Sequence, residues 1–238
     1  MIWALHGAVG MAADWRDPAK SFPANLGEIR RVDLWRYLDC CPMSLEETGR
    51  ALATEISRVD SEPVLLGYSM GGRIALHALL AMPEVWRAAV FVSTHPGLTD
   101  DQEKEARRKS DAEWSALALK AEWREFLHQW NEQGVLASNA QLPDRMKLKS
   151  SRASIARSFI DWSLGTQENL TSELAQHSVP QLWLTGGYDQ KFTQLAAGST
   201  LSIPSAKHTV IPGCGHRLPW EKPAEMARQI TRFLEVST

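Results

Sequence analysis

Six short runs of apolar, β-prone residues punctuate the chain: IWALHG (2–7), IRRVDLW (29–35), PVLLGYS (63–69), AAVFVST (88–94), PQLWLTG (180–186) and KHTVIPG (207–213). Each ends near a glycine, a serine or a polar turn, the punctuation that closes a strand. Most of the intervals between them have helical length and period. Residues 44–58, SLEETGRALATEISR, are an example, with Ser44 and Glu47 spaced as a capping box. Strands alternating with helices imply a parallel sheet covered on both faces, so the expected class is α/β.

One interval breaks the alternation. From His95 to about Leu164 the sequence is helical without a convincing strand, and it carries Trp114, Trp123, Trp130 and Trp162. Trp123, Leu127 and Trp130 fall at i, i+4 and i+7, so they share one helix face suited to packing a helical hairpin onto the sheet domain. An insertion at this place also suits a lid over the strand ends, where open parallel sheets bind ligands. The expected organisation is a core of 1–94 and 165–238 with a helical cap of 95–164.

Composition narrows the classes of function. The chain has 238 residues, enough for one large core, and a net charge of −2 from 26 basic and 28 acidic residues. That balance favours neither nucleic acid nor an anionic membrane and leaves a small neutral or anionic ligand. Cys40, Cys41 and Cys214 form no spaced disulfide framework, which points to a reducing compartment. The opening MIWALHGAVGMAA lacks a basic start and carries His6, so it reads as a first strand rather than a signal peptide. No run approaches the roughly 18 apolar residues of a membrane helix. The expectation is a soluble, cytoplasmic protein.

The chemistry gathers where strands end. In VLLGYSMGGRIALHALL (64–80), Ser69 stands between Gly67 and Gly71 at a passage from strand to helix. Small residues filling a plain turn would look the same. The alternative is a strained elbow that lifts the serine hydroxyl above the sheet edge. A serine nucleophile needs a base, and the base needs an acid to orient it. QLWLTGGYDQKF places Asp189 just beyond one strand, and TVIPGCGHRLPW places His216 in the loop after the next. Taken singly, Asp189 also reads as a helix N-cap and His216 as a turn histidine packed beside Trp220. An oxyanion hole needs two backbone N–H groups near the serine. Met70 supplies one, and Ala8, in the loop after ALHG, supplies the other.

The order HG, GxSxG, GxxD, GxGH is that of the α/β-hydrolase superfamily, which the chain resembles. GYSMGGR and THPGLTDDQEKEARRKSDAEW, continuing to FLHQWNEQGVLAS, are similar to the 2-succinyl-6-hydroxy-2,4-cyclohexadiene-1-carboxylate synthases of menaquinone biosynthesis. The resemblance covers nearly the whole chain. It implies a lyase that eliminates pyruvate from a polycarboxylate, with fixed positive charges for the carboxylates and a base for a proton. It also implies that Arg73, one helical turn beyond Ser69, and Arg107 in EARRKSD bind substrate, and that Trp130 and Tyr68 line the ring site. A further carboxylate-binding arginine of the pattern falls on Lys149, with Arg152 as its substitute, in a basic segment holding Arg145, Lys147, Lys149, Arg152 and Arg157.

Two departures stand out. The chain opens directly on the HG strand, and VDLWRYLDCCPM occupies the place of a PGHG turn, leaving Trp35, Arg36 and Tyr37 near the strand ends. That loop is either a local variation or a reshaped pocket. No metal or organic cofactor is expected, because no ligand cluster at metal spacing and no phosphate loop is found. The same three residues would also serve a serine hydrolase (esterase, thioesterase or carbon–carbon hydrolase), and a binding protein could keep the fold without the chemistry.

Overall fold

The computed structural model describes residues 1–39, 41–138 and 140–236. Its centre is one six-stranded sheet of β1 (Ile2–Leu5), β2 (Ile29–Val32), β3 (Val64–Tyr68), β4 (Ala88–Val92), β5 (Gln181–Gly186) and β6 (Ala206–Ile211). The strands are all parallel, in the order β2-β1-β3-β4-β5-β6. These are the six runs expected from sequence. Every residue of β3, β4 and β5 is buried, while the edge strands β2 and β6 are partly exposed. Central strands covered on both faces are mostly apolar, with Gln181 and Thr185 of β5 as buried polar exceptions, whereas an edge strand keeps one side for water.

The two-residue period of a strand divides the core into two layers. Leu65, Ala89, Phe91 and Trp183 face one layer, which takes in helix α1 (Leu45–Ser57) and helix α2 (Met70–Ala81). Leu66, Tyr68, Val90, Val92, Leu182 and Leu184 face the other. The C-terminal helix (Pro223–Val236) closes that side with Met226, Ile230, Phe233 and Leu234. The capping box at the start of α1 is formed: Glu47 N–H donates to Ser44 Oγ at 3.1 Å, and Ser44 N–H donates to Glu47 Oε2 at 2.8 Å.

Between β4 and β5 the described chain forms helices and turns. Helix α3 (Asp101–Lys120) starts at Asp100, whose carboxylate accepts the Glu103 N–H at 2.8 Å. Helix α4 (Trp123–Asn131), a 3-10 turn (Met146–Ser151) and helix α5 (Arg152–Asp161) follow. Trp123 and Phe126 are fully buried, with ring centroids 4.9 Å apart. The segment after β2 is the seat on which these helices rest. Trp35 is buried, donates from Nε1 to Gly10 O at 2.8 Å and stacks on Trp162 at 6.2 Å. Arg157 donates to Leu38 O at 2.9 Å, and Ser154 Oγ donates to the Asp39 carboxylate at 2.7 Å. Arg36 and Tyr37 turn outward and share Glu55. Cys41 is exposed, Cys214 is buried and Cys40 lies outside the described residues. No described helix is long and apolar enough to cross a membrane.

Candidate active site

The backbone at the end of β3 carries the most constrained residue of the site. Ser69 has φ 53° and ψ −115°, a region costing roughly 1–3 kcal/mol for a side-chain-bearing residue unless its surroundings enforce it. They do so here. Ser69 N–H donates to Val92 O at 2.9 Å, holding the serine to β4, while Arg73 N–H donates to Ser69 O at 3.2 Å and starts α2. Gly72 permits the close pass: a Cβ there would lie 2.8 Å from Thr94 Cβ. A Cβ on Gly71 would run into His6 O and one on Gly67 would lie 2.5 Å from Gly72 Cα, so the glycines flanking Ser69 are required by backbone crowding. Ser69 Oγ makes no capping bond to its own helix and is left for another partner.

That partner arrives from the ends of β5 and β6. His216 Nε2 lies 3.2 Å from Ser69 Oγ, and His216 Nδ1 lies 2.7 Å from Asp189 Oδ2. His216 and Asp189 are both buried. A carboxylate only accepts, so Nδ1 carries the proton of the neutral ring and Nε2 offers its lone pair to the serine hydroxyl. The histidine is walled by Phe192, with centroids 4.4 Å apart, and by Tyr68 at 5.7 Å. Glu221 accepts the Gly215 N–H at 2.8 Å and steadies the loop that carries it.

Beside the elbow lies the loop after β1. The register pairs Leu5 with Gly67, so His6 and Gly7 emerge next to Ser69. A Cβ on Gly7 would stand 2.7 Å from the Tyr68 ring and 3.5 Å from Ser69 Cβ. Ala8 follows in this turn, closed by Gly10 N–H to Gly7 O at 3.1 Å, and Met70 is the first residue of α2. His6 fixes the loop's entry. Its Nε2 accepts the Leu34 N–H at 3.2 Å, which leaves Nδ1 to donate to Gly7 O at 2.9 Å. Burial pushes this imidazole down to about 4, so it stays neutral.

A group of basic residues gathers around His95. Arg73 is buried, and its nearest polar partner is the neutral Gln167 Oε1, 3.4 Å from Nη1. Among the described residues no carboxylate lies within ion-pairing distance of it. Burial first, and then the charge of Arg107, pull its guanidinium down to about 9, with Asp111 opposing. Arg107 itself pairs with the buried Asp111, its Nε lying 2.9 Å from both carboxylate oxygens. Arg107, His95 and Lys191 line a cavity of about 780 Å³. Burial, followed by the charges of Lys191, Arg73 and Arg107, holds His95 down at about 3. A second cavity, of about 690 Å³, opens on His216 and Asp189 from the side of Gly134, Val135, Ala137 and Ala140.

A family model described as "Alpha/beta hydrolase family" matches residues 4–229. The chain belongs to the alpha/beta hydrolase family. Among relatives, a 2-succinyl-6-hydroxy-2,4-cyclohexadiene-1-carboxylate synthase of Pectobacterium atrosepticum is 30% identical over 97% of this chain and 92% of its own length. A synthase of the same name from Serratia proteamaculans is 29% identical over 98% and 92%. The solved structure of MenH from S. aureus superposes with a TM-score of 0.88 at 25% identity, covering 99% of this chain and 93% of that one. An esterase from Thermogutta terrifontis, at TM-score 0.72 and 19% identity, shares the fold.

In this alpha/beta hydrolase, the residues singled out by sequence do not all converge. Ser69, Asp189 and His216 meet, Tyr68 packs against the histidine, and Arg73 lies near enough to Arg107 to feel its charge. Lys149 is exposed on the 3-10 turn and makes none of the described contacts with that group. Its substitute Arg152 is occupied, donating to Ala118 O and Ala121 O at the end of α3. Trp130 is half-buried in an aromatic cluster with Trp114 at 5.1 Å and Phe159 at 5.4 Å. Sequence reasoning missed Arg145 as a buried group and Asp14 altogether. Arg145 Nη2 donates to Asp14 Oδ2 at 3.0 Å across 131 positions of sequence. No local pattern marks either, since each takes its meaning from the other. Among the described residues no cluster of His, Cys, Asp and Glu could hold a metal ion.

Proposed function

We propose that the protein is a carbon–oxygen lyase that eliminates pyruvate from a polycarboxylate cyclohexene precursor in menaquinone biosynthesis, with Ser69, His216 and Asp189 as its proton-transfer relay. The observation that carries this reading is Arg73. A buried guanidinium without an anionic partner is costly, and its cost is recovered when a substrate carboxylate enters beside Ser69. Arg107 and Lys191 extend positive charge along the adjoining cavity. The names of the relatives, matched over almost the full length of both chains, support the same substrate class.

In the proposed reaction His216 Nε2 takes the Ser69 hydroxyl proton, and Ser69 Oγ removes a proton from a ring carbon of the substrate. The electron pair left behind becomes a new ring double bond as the C–O bond to the three-carbon group breaks. That group departs as the enolate, receives the proton held by His216 and becomes pyruvate. Asp189 keeps the imidazole oriented and stabilises its charged form. The amides of Ala8 and Met70 face the oxygen on which charge develops, each contributing about 3–4 kcal/mol in the transition state. Tyr68, packed on His216, borders the ring.

The same Ser69–His216 contact would serve a hydrolase with Ser69 as nucleophile, and the charge of Arg73 is what favours the lyase. The test gives the purified protein the freshly generated precursor and follows pyruvate release beside a Ser69→Ala control. Ser69-dependent release well above the spontaneous rate is expected. Turnover of simple esters without pyruvate release would replace the lyase with a serine hydrolase.

A further inference from the structure

The loop that presents the Ala8 amide is held from two sides, and only one hold belongs to the sheet domain. On the sheet side, His6 donates to Gly7 O, and Trp35 Nε1 donates to Gly10 O at 2.8 Å. On the other, Asp14 Oδ2 accepts the Met11 N–H at 3.1 Å and also receives Arg145 Nη2 at 3.0 Å. Gly10 passes so close to this carboxylate that a Cβ there would lie 2.7 Å from Asp14 Oδ2. Arg145 comes from the insertion between β4 and β5, immediately before the turn Met146–Ser151. The pair is thus a tie between that insertion and the oxyanion loop.

The construction of the pair is unlike that of a bridge serving stability alone. Arg145 and Asp14 are more than nine-tenths buried, yet both hydrogen bonds fall on one carboxylate oxygen. Among the described residues, Asp14 Oδ1, Arg145 Nε and the neighbouring Trp220 Nε1 have no hydrogen-bond partner. A buried ion pair so incompletely satisfied returns little of its desolvation cost. Its neighbours are the walls of the catalytic group. The Arg145 guanidinium stands 5.9 Å over the Trp220 ring, Trp220 meets Tyr68 edge-on at 5.1 Å, and Tyr68 packs on His216 at 5.7 Å. On the insertion side, Arg217, the residue after His216, donates to Asn131 Oδ1 at the end of α4. Two arginines therefore join the insertion to the two loops that flank Ser69.

We propose that Arg145 is a positioning residue, which through Asp14 sets the oxyanion loop, and with it the Ala8 amide, at the distance from Ser69 that the reaction requires. The proposal rests on the reading of Ser69 as the reactive group and of Ala8 as a donor, and not on the identity of the substrate. The coupling joins groups already rigidly packed on one side, so a shift of the loop is felt at the serine and not across the whole fold.

The test uses the rate at which a fluorophosphonate labels Ser69, a reaction that needs the oxyanion donors and is indifferent to the natural substrate. It is measured well below the unfolding midpoint in Arg145→Met, Arg145→Lys, Asp14→Asn and the double variant Asp14→Asn with Arg145→Met. Arg145→Met and Asp14→Asn each leave one buried charge unmatched and are expected to unfold at lower temperature. The double variant, with no charge left over, is expected to regain most of that loss while labelling stays at least tenfold slow. Arg145→Lys is expected to fall between wild type and Arg145→Met in labelling. A double variant that regains both its melting temperature and wild-type labelling reduces the pair to a structural bridge and overturns the proposal, as does a folded Arg145→Met that labels at the wild-type rate. Wild-type labelling without pyruvate release from the precursor would defeat the lyase reading and leave this one standing.

Discussion

The two halves of the site are delivered by different means. The end of the sheet brings Ser69, Asp189, His216 and the Ala8 loop together through backbone: strand register, a forced elbow and short loops after three strands. The basic group and the Arg145 tie depend on long side chains reaching across from helices and from the insertion. Backbone delivery makes the first half precise and indifferent to substrate, which suits proton transfer. Side-chain delivery makes the second half adjustable, which suits recognition. Under the proposed function, the reaction type and the choice of substrate are stored in separable parts of this molecule, a division that substitution can break or sharpen.

The largest effect belongs to the backbone half. Ser69→Ala is expected to lower turnover by about 10⁴ or more with little change in fold, since only the hydroxyl is lost. Near-wild-type turnover in that variant would remove Ser69 from the chemistry.

Arg73→Met comes next and should separate the halves. With the carboxylate partner lost, kcat/KM for a polycarboxylate should drop by roughly a hundredfold or more, as for a charged group left without its counter-charge. Stability should move the opposite way. Removing an unmatched buried charge should stabilise by about 1 kcal/mol, or roughly 2–4 °C for a chain of this size. A fall in melting temperature would mean that Arg73 is satisfied inside the protein.

A smaller effect comes from histidines whose surroundings disfavour charge. His6 and His77 are held down at about 4, with burial as the leading cause in each. The folded chain therefore binds fewer protons than the unfolded one. For these two, stability is full above about 6.5 and is lost as pH falls from there through 4, and His95, held at about 3, carries the loss further down. For His6 alone the loss is about 3 kcal/mol, because a charged imidazole is costly in its buried place. His6→Asn, which keeps a donor and an acceptor, should flatten that part of the pH profile in urea unfolding. An unchanged profile would place the acid sensitivity elsewhere. The smallest effect is expected of Lys149→Ala, less than twofold in kcat/KM, because the side chain stands in solvent. A tenfold loss would show that Lys149 reaches the substrate after all.

What was legible in the sequence follows the same division. The six strands appear where apolar runs meet turn residues, and the Ser44–Glu47 cap and the glycines around Ser69 can be read because each obeys a rule spanning a few positions. Arg145 was visible only as one basic residue among five, and Asp14 not at all, because their meaning depends on a contact between distant segments. The family resemblance pointed to Lys149, with Arg152 as its substitute, for a carboxylate, yet one faces solvent and the other caps α3, since a matched position tells where a residue falls in the chain and not what lies opposite it. Trp130 shares a helix face with Trp123 as its spacing implied, and that face meets other aromatic rings.

The central claim is that the unmatched charge of Arg73 selects a polyanion for an otherwise general proton-transfer machine. Its most direct measurement is the ratio of kcat/KM for the enolpyruvyl polycarboxylate to kcat/KM for a small neutral ester, in the wild type and in Arg73→Met. The account expects the wild type to favour the polycarboxylate strongly and the ratio to collapse by about two orders of magnitude in the variant, with ester turnover barely changed. Equal losses on both substrates, or a wild type that prefers the ester, would contradict it.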